Sequence, residues 1–253
     1  MIQVIKIGGG VLENEAQRNA FLRQFAAIEG PKVLVHGGGR LATTMAERLG
    51  VETRMIEGRR VTDKETLDIV TMVYGGLVNK QVVAQLQTMG VNAIGMTGAD
   101  GGWMKSVKRP IKNGIDYGYV GDVTEVNGAH LRTLVENGLV PVIAPITYSV
   151  EGLLLNTNAD TVASQTAISL APDVQLIFCF EKAGVLSNPD DESSLIPRIT
   201  PESYTQLKAD GIVSGGMIPK IDNAFAAIEH GVQSVRITHA SNLQGGTLIT
   251  YHS

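Results

Sequence analysis

The chain has 253 residues, 43% of them hydrophobic, and carries 21 Lys and Arg against 25 Asp and Glu for a formal net charge of −4. That is enough chain and enough apolar content for one large α/β domain or two closely joined lobes, while the negative balance argues against a general binder of nucleic acid or anionic membrane. The single cysteine, Cys179, excludes an intrachain disulfide and fits a reducing cytoplasm.

In chain order, Ile2 to Ile7 is a β-branched run that ends in Gly8-Gly9-Gly10. Glu15 to Ile28 has helical period. Lys32 to Val35 is a short strand that ends in a second triplet, Gly37-Gly38-Gly39, and Leu41 to Leu49 is again helical. Lys64 to Met89 reads as one long helical stretch interrupted only by Gly75-Gly76, with Ile69, Val73 and Leu77 on a stripe that suits either a dimer surface or the core. Val91 to Gly95 is a strand. From Trp103 to Val126 the texture changes. Asn113-Gly114 is a two-residue hairpin signal followed by the alternating Asp116 to Val120, which predicts a small antiparallel insert. Val140 to Ile143 and Leu153 to Leu155 are strands, Ala159 to Leu170 a helix, and Gln175 to Phe180 a buried strand that holds Cys179 as a structural thiol. Asn188 to Ser194 is a polar loop. Pro201 to Ala209 and Met217 to His230 are helices, and Gln233 to Ile237 and Thr247 to Tyr251 close the sheet. The alternation predicts an α/β fold, a three-layer α/β/α sandwich around a mostly parallel sheet.

No apolar run approaches the ~18 residues of a membrane span. The chain opens on a strand rather than a charged segment and apolar core, so no signal peptide is expected. None of His36, His130, His230, His239 and His252 stands at metal-ligand spacing from a Cys, Asp or Glu, so no protein-built metal site is expected.

A strand that ends in three glycines and leads into a helix exposes backbone N–H groups at the positive end of a helix dipole, an arrangement that holds anions and phosphates. Glycines can also simply turn the chain. Lys6, two residues before the first triplet, adds a full positive charge. Gly37-Gly38-Gly39-Arg40-Leu41-Ala42 with Glu57 downstream fits a dinucleotide fingerprint, but that reading leaves Lys6 and the first loop unexplained. His36-Gly37-Gly38-Gly39 resembles an esterase oxyanion loop, yet no G-x-S-x-G accompanies it; the P-loop and the protein-kinase signatures are also absent.

Three later segments carry chemistry. Glu57-Gly58-Arg59-Arg60-Val61-Thr62 offers a guanidinium that can fork onto a carboxylate. Asn156-Thr157-Asn158-Ala159-Asp160 runs from a strand into a helix. Asn158 suits the cap and Asp160 the first turn. In Ser214-Gly215-Gly216-Met217-Ile218-Pro219-Lys220, Pro219 suits a first turn, whereas Lys220 opposes the helix dipole and so suggests an anion nearby.

Taken in order, Lys6-Ile7-Gly8-Gly9, His36 to Gly39, Gly58 to Thr62, Asn79-Lys80, Asn156 to Asp160 and Gly215 to Lys220 resemble the amino-acid kinase family, and within it the members that phosphorylate an N-acylated glutamate. The match runs from residue 6 to about 220. The resemblance implies attack of the substrate γ-carboxylate on the γ-phosphorus of ATP, giving an acyl phosphate, in arginine biosynthesis. It implies Lys6 and Lys220 as catalytic cations on the transferred phosphoryl group, with Asp160 holding both ammonium groups. It implies Gly38, Gly39, Arg60, Asn156 and Asn158 as the acceptor site. Gly8 and Gly9 would face the phosphates, with Glu181, Gly184, Leu186, Ile212 and Ser214 nearer the rest of the nucleotide and magnesium arriving with the ATP. An N-terminal lobe of about 1–172 would bind the acceptor and dimerise, and a C-terminal lobe of about 173–253 would bind ATP. The expected assembly is a homodimer without arginine feedback, with small-molecule partners only, located in the cytoplasm. Phe180-Glu181-Lys182-Ala183-Gly184-Val185-Leu186 departs from the family's usual Asp-Val-x-Gly-Val-Leu. Acetyl and succinyl caps are both compatible with these residues. The alternatives are a relative acting on N-acetylaminoadipate, aspartate or carbamate, and a nucleotide-binding regulator without catalysis.

Overall fold

The computed structural model describes residues 1–56, 58–188, 190–214 and 217–251. The expectations attached to Glu57, Pro189, the Gly215-Gly216 pair, the Pro219 side chain and His252 lie outside what it describes. The first half of the chain alternates strand and helix. Strand β1 (Ile2–Ile7) leads into the short helix α1 (Gly9–Glu13) and then α2 (Glu15–Ala27). Asn14 starts α2 by accepting from the Gln17 amide, and Glu15 sits favourably in its first turn. Next come β2 (Lys32–His36), α3 (Gly39–Arg48), the hairpin of β3 (Met55–Ile56) and β4 (Arg59–Arg60), and α4 (Lys64–Val70). A π-helical segment, Thr71–Val78, joins α4 to α5 (Asn79–Thr88), and β5 (Ala93–Met96) follows.

The middle of the chain holds β6 (Met104–Lys108), β7 (Gly121–Val126), α6 (Gly128–Glu136), β8 (Val140–Ile143), β9 (Ile146–Tyr148) and β10 (Leu154–Asn156). Helix α7 (Ala159–Leu170) leads to β11 (Val174–Phe180), β12 (Arg198–Ile199), α8 (Pro201–Ala209), α9 (Met217–Glu229), β13 (Ser234–His239) and β14 (Thr247–Ile249).

Eight strands form one sheet in the order β12-β14-β13-β11-β1-β2-β8-β5. Every pairing is parallel except β13 with β14. Alternation along the central strands feeds two cores. Val4, Val33, Val35, Leu176 and Phe178 face one, with Leu131, Val162, Tyr204 and Ile221 from α6 to α9. Ile5, Ile7, Leu34, Ile177 and Cys179 face the other, with Phe21, Phe25, Ala42, Leu67 and Leu86 from α2 to α5. Helices therefore cover both faces, as the sequence predicts. Each fully buried Ile, Leu or Phe contributes about 1.5–3 kcal/mol relative to exposure.

Strand order reverses at β1. Ile7 pairs with His36 of β2 on one side and Cys179 of β11 on the other. The chain continues outward in both directions from this point, so the carboxyl ends of β1, β2 and β11 open a crevice, the usual place for a ligand in an open α/β sheet.

Two expectations need correction. Lys64 to Met89 is not a continuous α-helix. The π winding of Thr71–Val78 bonds i to i+5 and shifts the helical phase. Ile69 in α4 and Val73 lie in the core, while Met72 and Leu77 of the π segment are exposed at 57% and 39%. Asp116 to Val120 is not a strand of the insert. Asn113 and Gly114 do turn the chain with positive φ at both positions, bridging Lys112 to Ile115. The stretch beyond makes only isolated bridges, Thr62 with Gly118 and Val120 with Asn156. The antiparallel pairing lies instead in a second sheet, β10-β9-β6-β7, where β6 pairs with β7 and β9 with β10.

Candidate active site

The two glycine loops are packed backbone to backbone at the crevice. A Cβ on Gly9 would stand 3.0 Å from the Gly38 nitrogen, and one on Gly37 3.1 Å from the Gly9 nitrogen. The Gly37 amide donates to the Ile7 carbonyl, which ties the end of β2 to the end of β1. Side chains here would separate the loops. The glycines are thus needed for close approach and not merely for turning: Gly9 opens α1 and Gly38 is the N-cap of α3 with no side chain to cap it.

The second loop is held from behind. His36 is fully buried; its Nδ1 lies 2.8 Å from the Gly37 carbonyl oxygen and its Nε2 3.1 Å from the Asn79 amide nitrogen. Asn79 also donates to the Val142 carbonyl at 2.9 Å, and Lys80 donates to Asn79 Oδ1 at 3.1 Å. Since Asn79 Nδ2 is a donor, the geometry selects the His36 tautomer with the proton on Nδ1. Burial pushes the imidazole down to about 4, so it is neutral at ordinary pH.

Beside this loop is a cavity of about 190 Å³ lined by Gly38, Gly39, Arg60, Tyr74, Asn156 and Asn158, among others. Arg60, buried on β4, donates to the Gly39 carbonyl at 2.7 Å, to Thr43 Oγ1 at 2.8 Å and to Thr53 Oγ1 at 3.1 Å. Asn156 donates to Thr62 Oγ1 at 2.9 Å. Tyr74, from the π segment, packs on Gly38, where a Cβ would lie 2.8 Å from the ring. Burial raises the Tyr74 hydroxyl's pKa, and the charge and hydrogen bonding of Arg60 oppose that rise. Asn158 uses its side-chain oxygen to cap α7, accepting from the Asp160 and Thr161 amides.

The first loop lines a second cavity of about 270 Å³ with Gly8, Gly10, Glu181, Gly184, Met217 and Lys220 among its walls. Lys6 Nζ is 2.8 Å from Asp160 Oδ1. Both lysines lie over the Phe180 ring, Lys220 Nζ at 3.8 Å from its centroid and Lys6 Nζ at 5.6 Å. Asp160 is ion-paired with Lys6 and acts on Lys220 through its charge, with no ion pair to Lys220 among the described residues. Lys220, on the first turn of α9, rests on the aromatic face instead, which partly replaces its lost water. Its pKa is lowered by burial first; Asp160 opposes this and the Lys6 charge adds to it. Two ammonium groups and one carboxylate leave this spot one positive charge in excess, a local field that favours an incoming anion.

Of the sequence-predicted site residues, Lys6, Lys220 and Asp160 form one cluster. Gly38, Gly39, Arg60, Asn156 and Asn158 line the first cavity, Gly8, Glu181 and Gly184 the second, and Gly9 of the first loop packs against the second loop. Leu186, Ile212 and Ser214 are not among the residues lining either cavity; Leu186 is buried in a bridge with Leu195, and Ser214 accepts the Met217 amide. Sequence reasoning missed Phe180, Tyr74 and the His36–Asn79 contact. Phe180 is legible only as the last apolar residue of a strand, and Tyr74 only as part of an apolar helix.

A description of the amino acid kinase family matches residues 1–239. An acetylglutamate kinase of Phocaeicola vulgatus is 55% identical over 97% of this chain and 96% of its own. An acetylglutamate kinase of Bacteroides thetaiotaomicron is 55% identical over 96% and 95%. Among solved structures, smu.665 from Streptococcus mutans UA159 has a TM-score of 0.81 at 32% identity and covers 99% of both chains.

Proposed function

The chain belongs to the amino acid kinase family, and from that premise we propose that it transfers the γ-phosphoryl group of ATP to the γ-carboxylate of N-acetyl-L-glutamate, a step of arginine biosynthesis. The carboxylate is already ionised at neutral pH, since its pKa is ~4.3, so the reaction needs no general base. The barrier lies in bringing two anions into line and in stabilising charge on the moving phosphoryl group.

The observation that carries the reading is the pair of lysines on one aromatic face beside a glycine loop, with a single carboxylate between them in charge. Lys6 and Lys220 neutralise the equatorial oxygens of the transferred group, and Asp160 fixes the direction of Lys6. Gly9, Gly38 and Gly39 donate backbone N–H groups to phosphoryl and acceptor oxygens. Arg60 and Asn156 hold the α-carboxylate side of the acceptor; Arg60 is directed by Gly39, Thr43 and Thr53. Asn158 acts on the acceptor through its place as the cap of α7, which sets the position of Asp160.

The cavity beside Gly8, Gly10 and Gly184 takes the nucleotide, with magnesium bound to its phosphates as part of the substrate. The division of the sheet where β1 meets β11 supports an acceptor lobe of about 1–172 and an ATP lobe of about 173–253. The exposed Met72 and Leu77 on the π segment suit a homodimer contact, and the single buried cysteine is in keeping with a cytoplasmic location. An ATP-coupled hydroxamate assay across N-acetylglutamate, N-succinylglutamate, N-acetylaminoadipate and aspartate tests the assignment. N-acetylglutamate is expected to give the highest kcat/KM, and turnover of aspartate in preference to it would overturn the reading.

A further inference from the structure

Glu181, part of the segment that departs from the family's usual sequence, has its partner just after the second glycine loop, in the first turn of α3. Its Oε1 accepts from Arg40 Nη2 at 3.3 Å, across a sequence separation of 141 residues. Arg40 follows Gly39 in α3 and Glu181 follows β11, so the pair spans the mouth of the crevice where strand order reverses. Gly10 of the first loop lies under it: a Cβ there would be 3.1 Å from Arg40 Nη1 and 3.3 Å from Glu181 Oε1. Gly10, Glu181 and Lys220 also line one cavity. Lys6, Lys220 and Arg40 thus surround the first loop, with Lys182 also on the cavity wall, and Lys6 and Arg40 each have a resident carboxylate, Asp160 and Glu181.

These two resident pairs differ in kind. Lys6 is buried and its pair is short, whereas Arg40 and Glu181 are 69% and 73% exposed and their contact is long. An exposed pair of that geometry adds little stability, so exchanging one anion for another costs little. Guanidinium presents several N–H donors in a plane and is well suited to fork onto phosphate oxygens.

We propose that Arg40 is a ligand for the polyphosphate of the nucleotide, and that Glu181 is the resident counterion that the phosphates displace. This rests on the reading above that the first loop faces ATP, and it assigns Glu181 a different task from a nucleotide contact. In the unliganded enzyme the carboxylate keeps the guanidinium poised over Gly10; when MgATP enters, Arg40 exchanges its carboxylate for the phosphate oxygens.

The test is direct binding of MgATP, MgADP and adenosine to the full-length protein by calorimetry, without acceptor, for the wild type, Arg40→Ala, Glu181→Gln and the exchange variant R40E/E181R. Loss of a charge-assisted contact is expected to weaken MgATP and MgADP about tenfold in Arg40→Ala and to leave adenosine unchanged. Removing the competing carboxylate in Glu181→Gln is expected to tighten MgATP by about threefold. R40E/E181R restores a pair but moves the cation from the start of α3 to the segment after β11, so MgATP binding stays weak. Equal MgATP binding by the wild type and Arg40→Ala overturns the proposal while the kinase reading stands. Equal weakening of MgATP by Arg40→Ala and Glu181→Gln, repaired in the exchange variant, makes the pair a latch between loops and also overturns it, as does weaker adenosine binding by Glu181→Gln. A wild type that binds no nucleotide overturns both this proposal and the functional reading.

Discussion

Gly38 and Tyr74 are in contact with no room for a side chain between them: a Cβ on Gly38 would lie 2.8 Å from one ring carbon of Tyr74 and 3.0 Å from the next. This close approach makes the requirement for glycine steric. Gly38→Ala is expected to push Tyr74 away, lower stability by about 1–3 kcal/mol and raise KM for the acceptor more than for ATP. Adding Tyr74→Leu should recover part of the lost stability in urea titrations. An unperturbed Gly38→Ala enzyme would mean that the ring moves freely and does not set the loop.

Lys6→Ala and Lys220→Ala are each expected to lower kcat by about 10²–10³, the usual effect of removing one donor that acts on transition-state charge. Steady-state kinetics at saturating substrates checks this, with circular dichroism to confirm folding. Near-normal kcat in either variant would remove that lysine from the chemistry.

Arg60→Ala is expected chiefly to raise KM for the N-acyl amino acid, because a grip on the α-carboxylate persists in ground and transition states alike. Arg60→Lys should recover little of it. The guanidinium makes three hydrogen bonds, to Gly39, Thr43 and Thr53, and a single ammonium cannot reproduce that geometry while facing a carboxylate. An unchanged acceptor KM in Arg60→Ala would contradict the assignment.

His36 predicts a pH dependence of stability. Its folded pKa is about 4 against 6.5 unperturbed, so between these values the unfolded chain binds the extra proton and stability falls as pH falls. The contribution is fully present above pH 6.5, and about 3 kcal/mol is lost by pH 4. Urea unfolding at pH 7.5 and pH 5 is expected to differ by about 2 kcal/mol more in the wild type than in His36→Gln. Equal pH dependence in the two would show that His36 stays accessible to protons.

Cys179 is buried, and burial pushes its thiol up to about 12 despite the opposing charge of Lys6. The native protein is expected to resist thiol reagents at pH 8 and to react fully once unfolded in urea. Rapid native labelling would place Cys179 nearer the surface than its strand position implies.

Much of this architecture could be read from sequence, because local rules act where they are strong. Two glycine triplets mark the ends of β1 and β2, and Asn158 and Leu170 bound α7 as capping and periodicity require. Asn113-Gly114 makes its turn. The site residues that were legible are those whose chemistry conflicts with their position, such as Lys220 at a helix start. What escaped depends on partners far along the chain. The π winding around Tyr74 carries no compositional mark distinct from an α-helix. Phe180 looks like any strand residue until Lys6 and Lys220 are brought over its ring. Arg40 and Glu181 look like separate surface charges until β2 and β11 lie on either side of β1.

The central place of β1 also bears on how the protein is made. Ile2 to Ile7 can pair with β2 as soon as Lys32–His36 has been synthesised, but its other edge stays bare until Val174–Phe180 emerges. At ribosomal rates of ~5–20 residues per second that interval is on the order of ten seconds. During it the strand that bears Lys6 presents an apolar, unpaired edge to its surroundings, the kind of template on which nascent chains aggregate. The pairing that closes the crevice therefore comes late in biosynthesis, with only β12, β13 and β14 of the sheet still to follow, and chaperone demand should be concentrated before it.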